Sequence, residues 1–224
     1  MISTEQARLL SELQQRIERY QPILEEEFDV NLGKVVARPF GARAWLRKMR
    51  DRSLVQASRR GGFGLNRRLM LRCEWALIYL PACFLVWFRH WYPQFMMRWD
   101  DDEPAILVPF RGWMRKDHRR RIAQLDQWAV HEMAHGIWHR IADDSAVEHG
   151  RRWRVWNEGF AHYVADVHLR PHYPAGAIID EEWSPMRLEG RRLVAKVVDH
   201  HGAAMLKRVP RDWRQHDRTI DHPV

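Results

Sequence analysis

The chain has 224 residues, 46% of them hydrophobic, with a formal net charge of +8 and a pI near 10.0. That length and apolar content provide for one globular domain with a sizeable core and exclude a disordered chain. The two cysteines, Cys73 and Cys83, form no CxxC pair, which argues against a thiolate metal site and for core thiols of a reduced, cytoplasmic protein.

The opening "STEQARLLSELQQRIERYQPILEEEF" reads as an amphipathic helix. Ser3 or Thr4 caps it, and Leu9, Leu10, Leu13, Ile17, Tyr20 and Leu24 recur at helical spacing. The N-terminus lacks the basic start and apolar run of a secretory signal. "VNLGKVVARPF" predicts a turn and a short strand ending at Pro39, and "GARAWLRKMRDRSLVQASRR" a helix. "RRGGFGLN" is a connecting loop without a phosphate-binding fingerprint. The longest uncharged run, Trp75 to Phe88, has 14 residues with Pro81 at its middle. It falls short of the roughly 18–20 residues that span a bilayer, so it predicts buried core and no transmembrane segment.

"WDDDEP" is an acidic turn, and "AILVPF", Ala105 to Phe110, a β run bounded by prolines. Its expected place is a sheet edge, where it can pair with an extended peptide. Asp117 caps a long helix from about His118 to Ile141. A second helix follows from about Trp156 to Leu169, with Glu158 in its first turn. The last predicted helix is "SPMRLEGRRLVAKVVDHH", capped by Ser184 and ended by Gly202. The expected fold class is α+β, with a small N-terminal sheet and a mainly helical C-terminal part. It forms a single domain over 1–224, with lobes of about 1–117 and 118–224.

Chemistry concentrates in "HEMAHGIWHR". His131 and His135 lie four residues apart, so both imidazoles project from one face, one turn apart. That arrangement suits a single ion at about 2.0–2.1 Å from each nitrogen. Glu132 sits one step round the helix, where a carboxylate reaches a water beside that ion rather than the ion itself. Ile122, Leu125, Ala129, Met133 and Ile137 make the remainder of the helix apolar. A motif buried in a core needs its polar groups satisfied, which a metal does directly.

Downstream, "WNEGFAHYVAD" resembles the W-x-N-E-G-F-A-x-Y pattern of gluzincins, in particular the small peptidase MA-like proteins, lacking one spacer after Trp156. Twenty-two residues separate His135 from Glu158. "LEGRRLVAKVVDHHG" is similar to the helix that follows the site in those proteins, and the resemblance covers roughly residues 105 to 208. It implies a zincin-like fold and a zinc-dependent peptidase acting on peptide or protein. It further implies that His131, His135 and Glu158 bind Zn2+, with Glu132 as the base. The chain departs from the family in "PMRLEG", where many gluzincins carry an oxyanion-stabilising tyrosine. Arg187, Tyr173, His172 and His162 are candidates to replace it, and Asp126 or Asp166 to orient a ligand histidine.

A rival resemblance runs through "HEMAHGIWHR…EHGRRW", similar to SprT-like proteases that act on DNA-bound protein. It makes His149, separated from His135 by thirteen residues, the third ligand. Glu158 is the favoured choice, because a longer pattern surrounds it. A third alternative is a non-catalytic zinc-binding regulatory protein. The 37 basic residues are scattered rather than aligned on one helix, which favours a solvated basic surface over a nucleic-acid face.

Overall fold

The computed structural model describes residues 4–40, 96–98, 104–109, 118–142, 150–173 and 185–221. The chain divides into two compact units, one of residues 1–38, 95–107 and 114–224, the other of residues 39–94 and 108–113. Of the second unit only the ends of two strands are described. The expected helix over 41–60, the glycine loop after it, the apolar run over 75–88 and both cysteines lie outside the described residues.

Helix α1 (Thr4–Phe28) opens the first unit and buries the stripe Leu9, Leu13, Ile17, Tyr20, Leu24 and Phe28. These positions recur every three or four residues, as a helix with one buried face requires. Its half-buried polar side holds the chain that leaves it. Glu25 accepts from the Leu32 amide at 2.7 Å, and Gln14 accepts from the Ala37 amide at 2.8 Å. That chain becomes β1 (Val36–Phe40), one strand of a three-stranded sheet with β2 (Met96–Arg98) and β3 (Ala105–Pro109). The sheet order is β1-β3-β2, and β2 runs antiparallel to β3 with Met97 opposite Ile106. The strand expected at the edge, β3, is therefore the central one, and both of its sides already carry a neighbour. Periodicity predicts a strand but says nothing about its neighbours.

Helices make up most of the described residues, so the α+β expectation holds in its coarse form, as a mainly helical chain with a small sheet. Helix α2 (His118–Ile141) packs against α1 and β2, and α3 (Arg151–Leu169) packs against α2. The boundary expected near residue 117 falls inside the first unit. From Ala129 to Trp138 every α2 residue except His135 is buried. Edge-on aromatic contacts knit three helices together. Phe160 meets Phe28 and Trp138, each with ring centroids 5.6 Å apart, and Trp138 meets Trp153 at 6.4 Å.

Helix α3 starts at Arg151, five residues before its expected start at Trp156. Exposed Arg151 and Arg154 give "RRWRVW" the look of a polar turn, yet Trp153, Val155 and Trp156 turn inward. Helix α4 (Pro185–His201) lies across α3 at a point where two glycines meet. A Cβ on Gly190 would stand 2.0 Å from the Val155 carbonyl oxygen, and one on Gly159 would stand 2.1 Å from the Gly190 carbonyl carbon. Only two residues without side chains permit that approach.

Helix α4 ends where Gly202 adopts a φ of 86°. Beyond it come a 3-10 turn (Ala203–Arg208) and a further helix, α5 (Val209–Asp221), which sequence reading missed. Its anchors are polar. Asp217 accepts from Trp156 Nε1 at 2.7 Å and pairs with Arg152 Nη2 at 2.7 Å, tying α5 to α3. No helix among the described residues is long and apolar enough to cross a membrane.

Two outcomes follow from this packing. Gly190→Ala must push backbone against backbone, with no flexible side chain to yield. The expected cost is about 3 kcal/mol, the upper end of ordinary overpacking, read as a fall in Tm of roughly 6–12 °C for a chain of this size. An unchanged Tm would mean that the crossing has slack. The second outcome concerns His216, buried on α5 beside His201, with ring centroids 5.7 Å apart. Burial, and then the charge of a protonated His201, hold its pKa below the ordinary 6.5. The unfolded chain therefore takes up a proton near pH 6.5 that the folded chain resists. Stability falls as pH drops through that value, and His216→Gln should flatten the fall. Equal urea-midpoint slopes for the two proteins between neutral and mildly acidic pH would refute this assignment.

Candidate metal centre

Two helices converge on one point. From α2, His131 and His135 bring their Nε2 atoms to 3.1 Å from one another, with the rings nearly perpendicular at 87°. From α3, Glu158 Oε2 lies 3.6 Å from His131 Nε2, and Oε1 lies 3.9 Å from His135 Nε2. Glu158 stands in the third turn of α3 rather than the first, because the helix begins early. Its carboxylate is therefore directed by packing between helices and not by the helix dipole at an N-terminus.

The donor set can be compared with what an ion requires. Two atoms each about 2.0–2.1 Å from one tetrahedral ion lie about 3.3–3.4 Å apart. The His131–His135 distance of 3.1 Å lies close to that value, and the Glu158 carboxylate approaches with one oxygen 3.6 Å from His131 Nε2 and the other 3.9 Å from His135 Nε2. Two imidazoles and a carboxylate also form a donor set of the kind that holds divalent transition-metal ions. Glu132 adds a second carboxylate. It is 3% exposed, and one of its oxygens lies within 4.8 Å of the ligand nitrogens of both histidines. His131, His135 and Glu158 therefore fit a metal ion, and the Glu132 carboxylate stands beside them.

Electrostatics agree with this geometry. Burial lowers the His131 pKa to about 3 and that of His135 to about 4, so both rings are neutral near pH 7, the form that donates a lone pair to a metal. Burial alone would raise the Glu158 pKa. The facing His131 and His135 and the Arg187 guanidinium outweigh it and hold the carboxyl well below its usual range. Arg187 Nε donates to Glu158 Oε2 at 2.7 Å.

The other residues singled out from the sequence have different places. Asp126 is almost wholly buried and pairs with Arg16 at 2.8 Å, while the Tyr173 hydroxyl donates to its second oxygen. Asp166 is held by Arg170, at 2.5 Å, and by Arg191. Both aspartates thus serve as ties between helices or turns, and neither is positioned as the expected orienter of a ligand histidine. His162 is buried one turn beyond Glu158, where burial and the neighbouring His131 lower its pKa to about 3. His172 is exposed. His149, the rival third ligand, lies outside the described residues. Arg187 was one of several candidates from sequence, and its bond to Glu158 was not readable there, because nothing local links positions 29 residues apart.

Compared with protein-family models, with curated proteins and with solved structures, the chain matches none. The functional reading therefore rests on the geometry of the site.

Proposed function

We propose that the protein is a zinc-dependent peptidase, with His131, His135 and Glu158 as the ligands of Zn2+ and Glu132 as general base. The observation that carries this reading is the convergence of two imidazole nitrogens and a carboxylate from α2 and α3 within 3.1–3.9 Å. When bound, zinc supplies Lewis-acid chemistry, which polarises a peptide carbonyl and makes water acidic enough to ionise near pH 7.

The chain's own residues supply the remainder. Glu132 follows His131 by one position, so its carboxylate turns about 100° from the ligand line. From there it accepts a proton from the attacking water and passes it to the leaving amine. The apolar surroundings of α2 exclude bulk water and strengthen each of these interactions. A second reading is a zinc-binding protein without hydrolytic activity. It draws on Tyr173, whose hydroxyl is engaged by Asp126, so this substitute for the expected oxyanion-stabilising tyrosine is committed to another contact.

Two measurements test the proposal. Elemental analysis should find about one zinc per chain, strongly depleted in Glu158→Ala and nearly unchanged in His149→Ala. The reverse pattern moves the third ligand to His149 and the function toward a SprT-like protease. Glu132→Gln should keep its zinc and its fold while cleavage of a degenerate peptide pool falls by at least about 10²-fold. Cleavage at the parent rate would rule out Glu132 as the base. Zinc bound by both proteins with no cleavage by either would favour the non-catalytic reading.

A further inference from the structure

We propose that Arg187 is a positioning residue for the metal centre: by holding Oε2 of Glu158, it leaves Oε1 as the single carboxylate oxygen offered to the ion. This inference rests on the zinc reading above.

Two carboxylates on α3 make the contrast. Asp166 has both oxygens engaged, Oδ1 by Arg170 and Oδ2 by Arg191. Glu158 has Oε2 engaged by Arg187 and 3.6 Å from His131 Nε2, while Oε1 faces His135 Nε2 at 3.9 Å and accepts no hydrogen bond among the described residues. Of these two carboxylates, the one beside the imidazole pair is the one that keeps an oxygen open. The pairing follows from the helix crossing. Gly159 adjoins Glu158, Arg187 lies one turn before Gly190, and the two glycines touch. Backbones that close bring a guanidinium from α4 onto a carboxylate of α3. The side chains are 32% and 23% exposed, so the pair is partly shielded from water.

The chemical consequence concerns the number of donors. A carboxylate that grips an ion through both oxygens fills two coordination positions, and one that grips through a single oxygen fills one. With two histidines, single-oxygen ligation gives three protein donors and leaves a position for water or substrate, the pattern of catalytic rather than structural zinc sites. A guanidinium suits this task because its planar fork fixes direction as well as charge, which a lysine ammonium does not.

The test compares wild type, Arg187→Gln, Arg187→Lys, Glu158→Gln and the Arg187→Gln/Glu158→Gln double variant. Zn2+ affinity is measured by competition with a chromophoric chelator, and coordination number by the visible absorption of the Co2+-loaded protein. Arg187→Gln should weaken Zn2+ binding by about 10–100-fold and reduce the Co2+ absorption, as the second oxygen enters and the coordination number rises. Arg187→Lys should recover part of the affinity but not the spectrum, and it stands in if the glutamine variant fails to fold. The double variant should bind no more weakly than Glu158→Gln alone, because Arg187 acts through Glu158. If Glu158→Gln is defective while Arg187→Gln keeps wild-type affinity and spectrum, the inference is overturned and the zinc reading survives. Independent, additive losses in the double variant overturn it as well. If Glu158→Gln and His131→Ala both bind Zn2+ as wild type does, the zinc reading falls and this inference with it.

Discussion

The architecture of the site depends on the contact between Gly159 and Gly190. Helices usually pack with axes about 8–10 Å apart, at a distance set by the side chains between them. Here neither residue has a side chain, and a single Cβ on either would collide with backbone. Each glycine inside a helix costs about 0.8–1.0 kcal/mol relative to alanine, so the crossing carries a penalty in local helix stability. What offsets it is the company the two backbones keep. Trp156 and Phe160 extend from the same stretch of α3 into the core, and Arg187 reaches Glu158. One helix therefore has two tasks, filling the core with aromatic rings and presenting a carboxylate to the histidines of α2.

Much of this was legible in the sequence, and the failures have physical causes. The α1 stripe, the proline-bounded strands and the span of α2 follow from local periodicity and punctuation. The spacing of His131 and His135 places both rings on one face without any knowledge of the fold. The early start of α3 was hidden because exposed arginines alternate with buried residues over 151–156, so the polar positions masked the apolar ones. Helix α5 was hidden for another reason. Its apolar content is sparse, and Asp217 is held by Arg152 and Trp156, partners more than sixty residues upstream. No local pattern carries such a bond. The same applies to Asp126 and Asp166. Spacing indicates which side of a helix they occupy, whereas only the fold decides that Arg16, Tyr173 and Arg191 reach them.

The excess of basic residues, read from sequence as a solvated surface, has a more particular use in the described part of the chain. Arg16, Arg152, Arg170, Arg187 and Arg191 each grip an acidic side chain that is buried or half-buried. Most of these pairs join separate elements. Arginine suits such places better than lysine, since its guanidinium is more weakly hydrated and offers several donors in one plane. A buried ion pair of this kind adds little net stability compared with a well-packed apolar pair, but losing one partner strands a charge and is costly. The arrangement thus penalises wrong packings of α3, α4 and α5 more than it deepens the correct one.

The bond between Trp156 and Asp217 spans 61 positions of the chain, and this separation has a consequence during synthesis. At about 5–20 residues per second, roughly 3–12 s pass between the making of the indole and the making of the carboxylate that receives it. From the completion of α3 at Leu169 until that carboxylate is made, the helix has its hydrophobic side but not the clasp from α5, and Arg152 has not yet met Asp217. A nascent chain in this condition exposes apolar surface of the kind that chaperones hold and that neighbouring chains aggregate on. Codon usage between positions 156 and 217 is therefore a means of setting how long the unfinished helix waits.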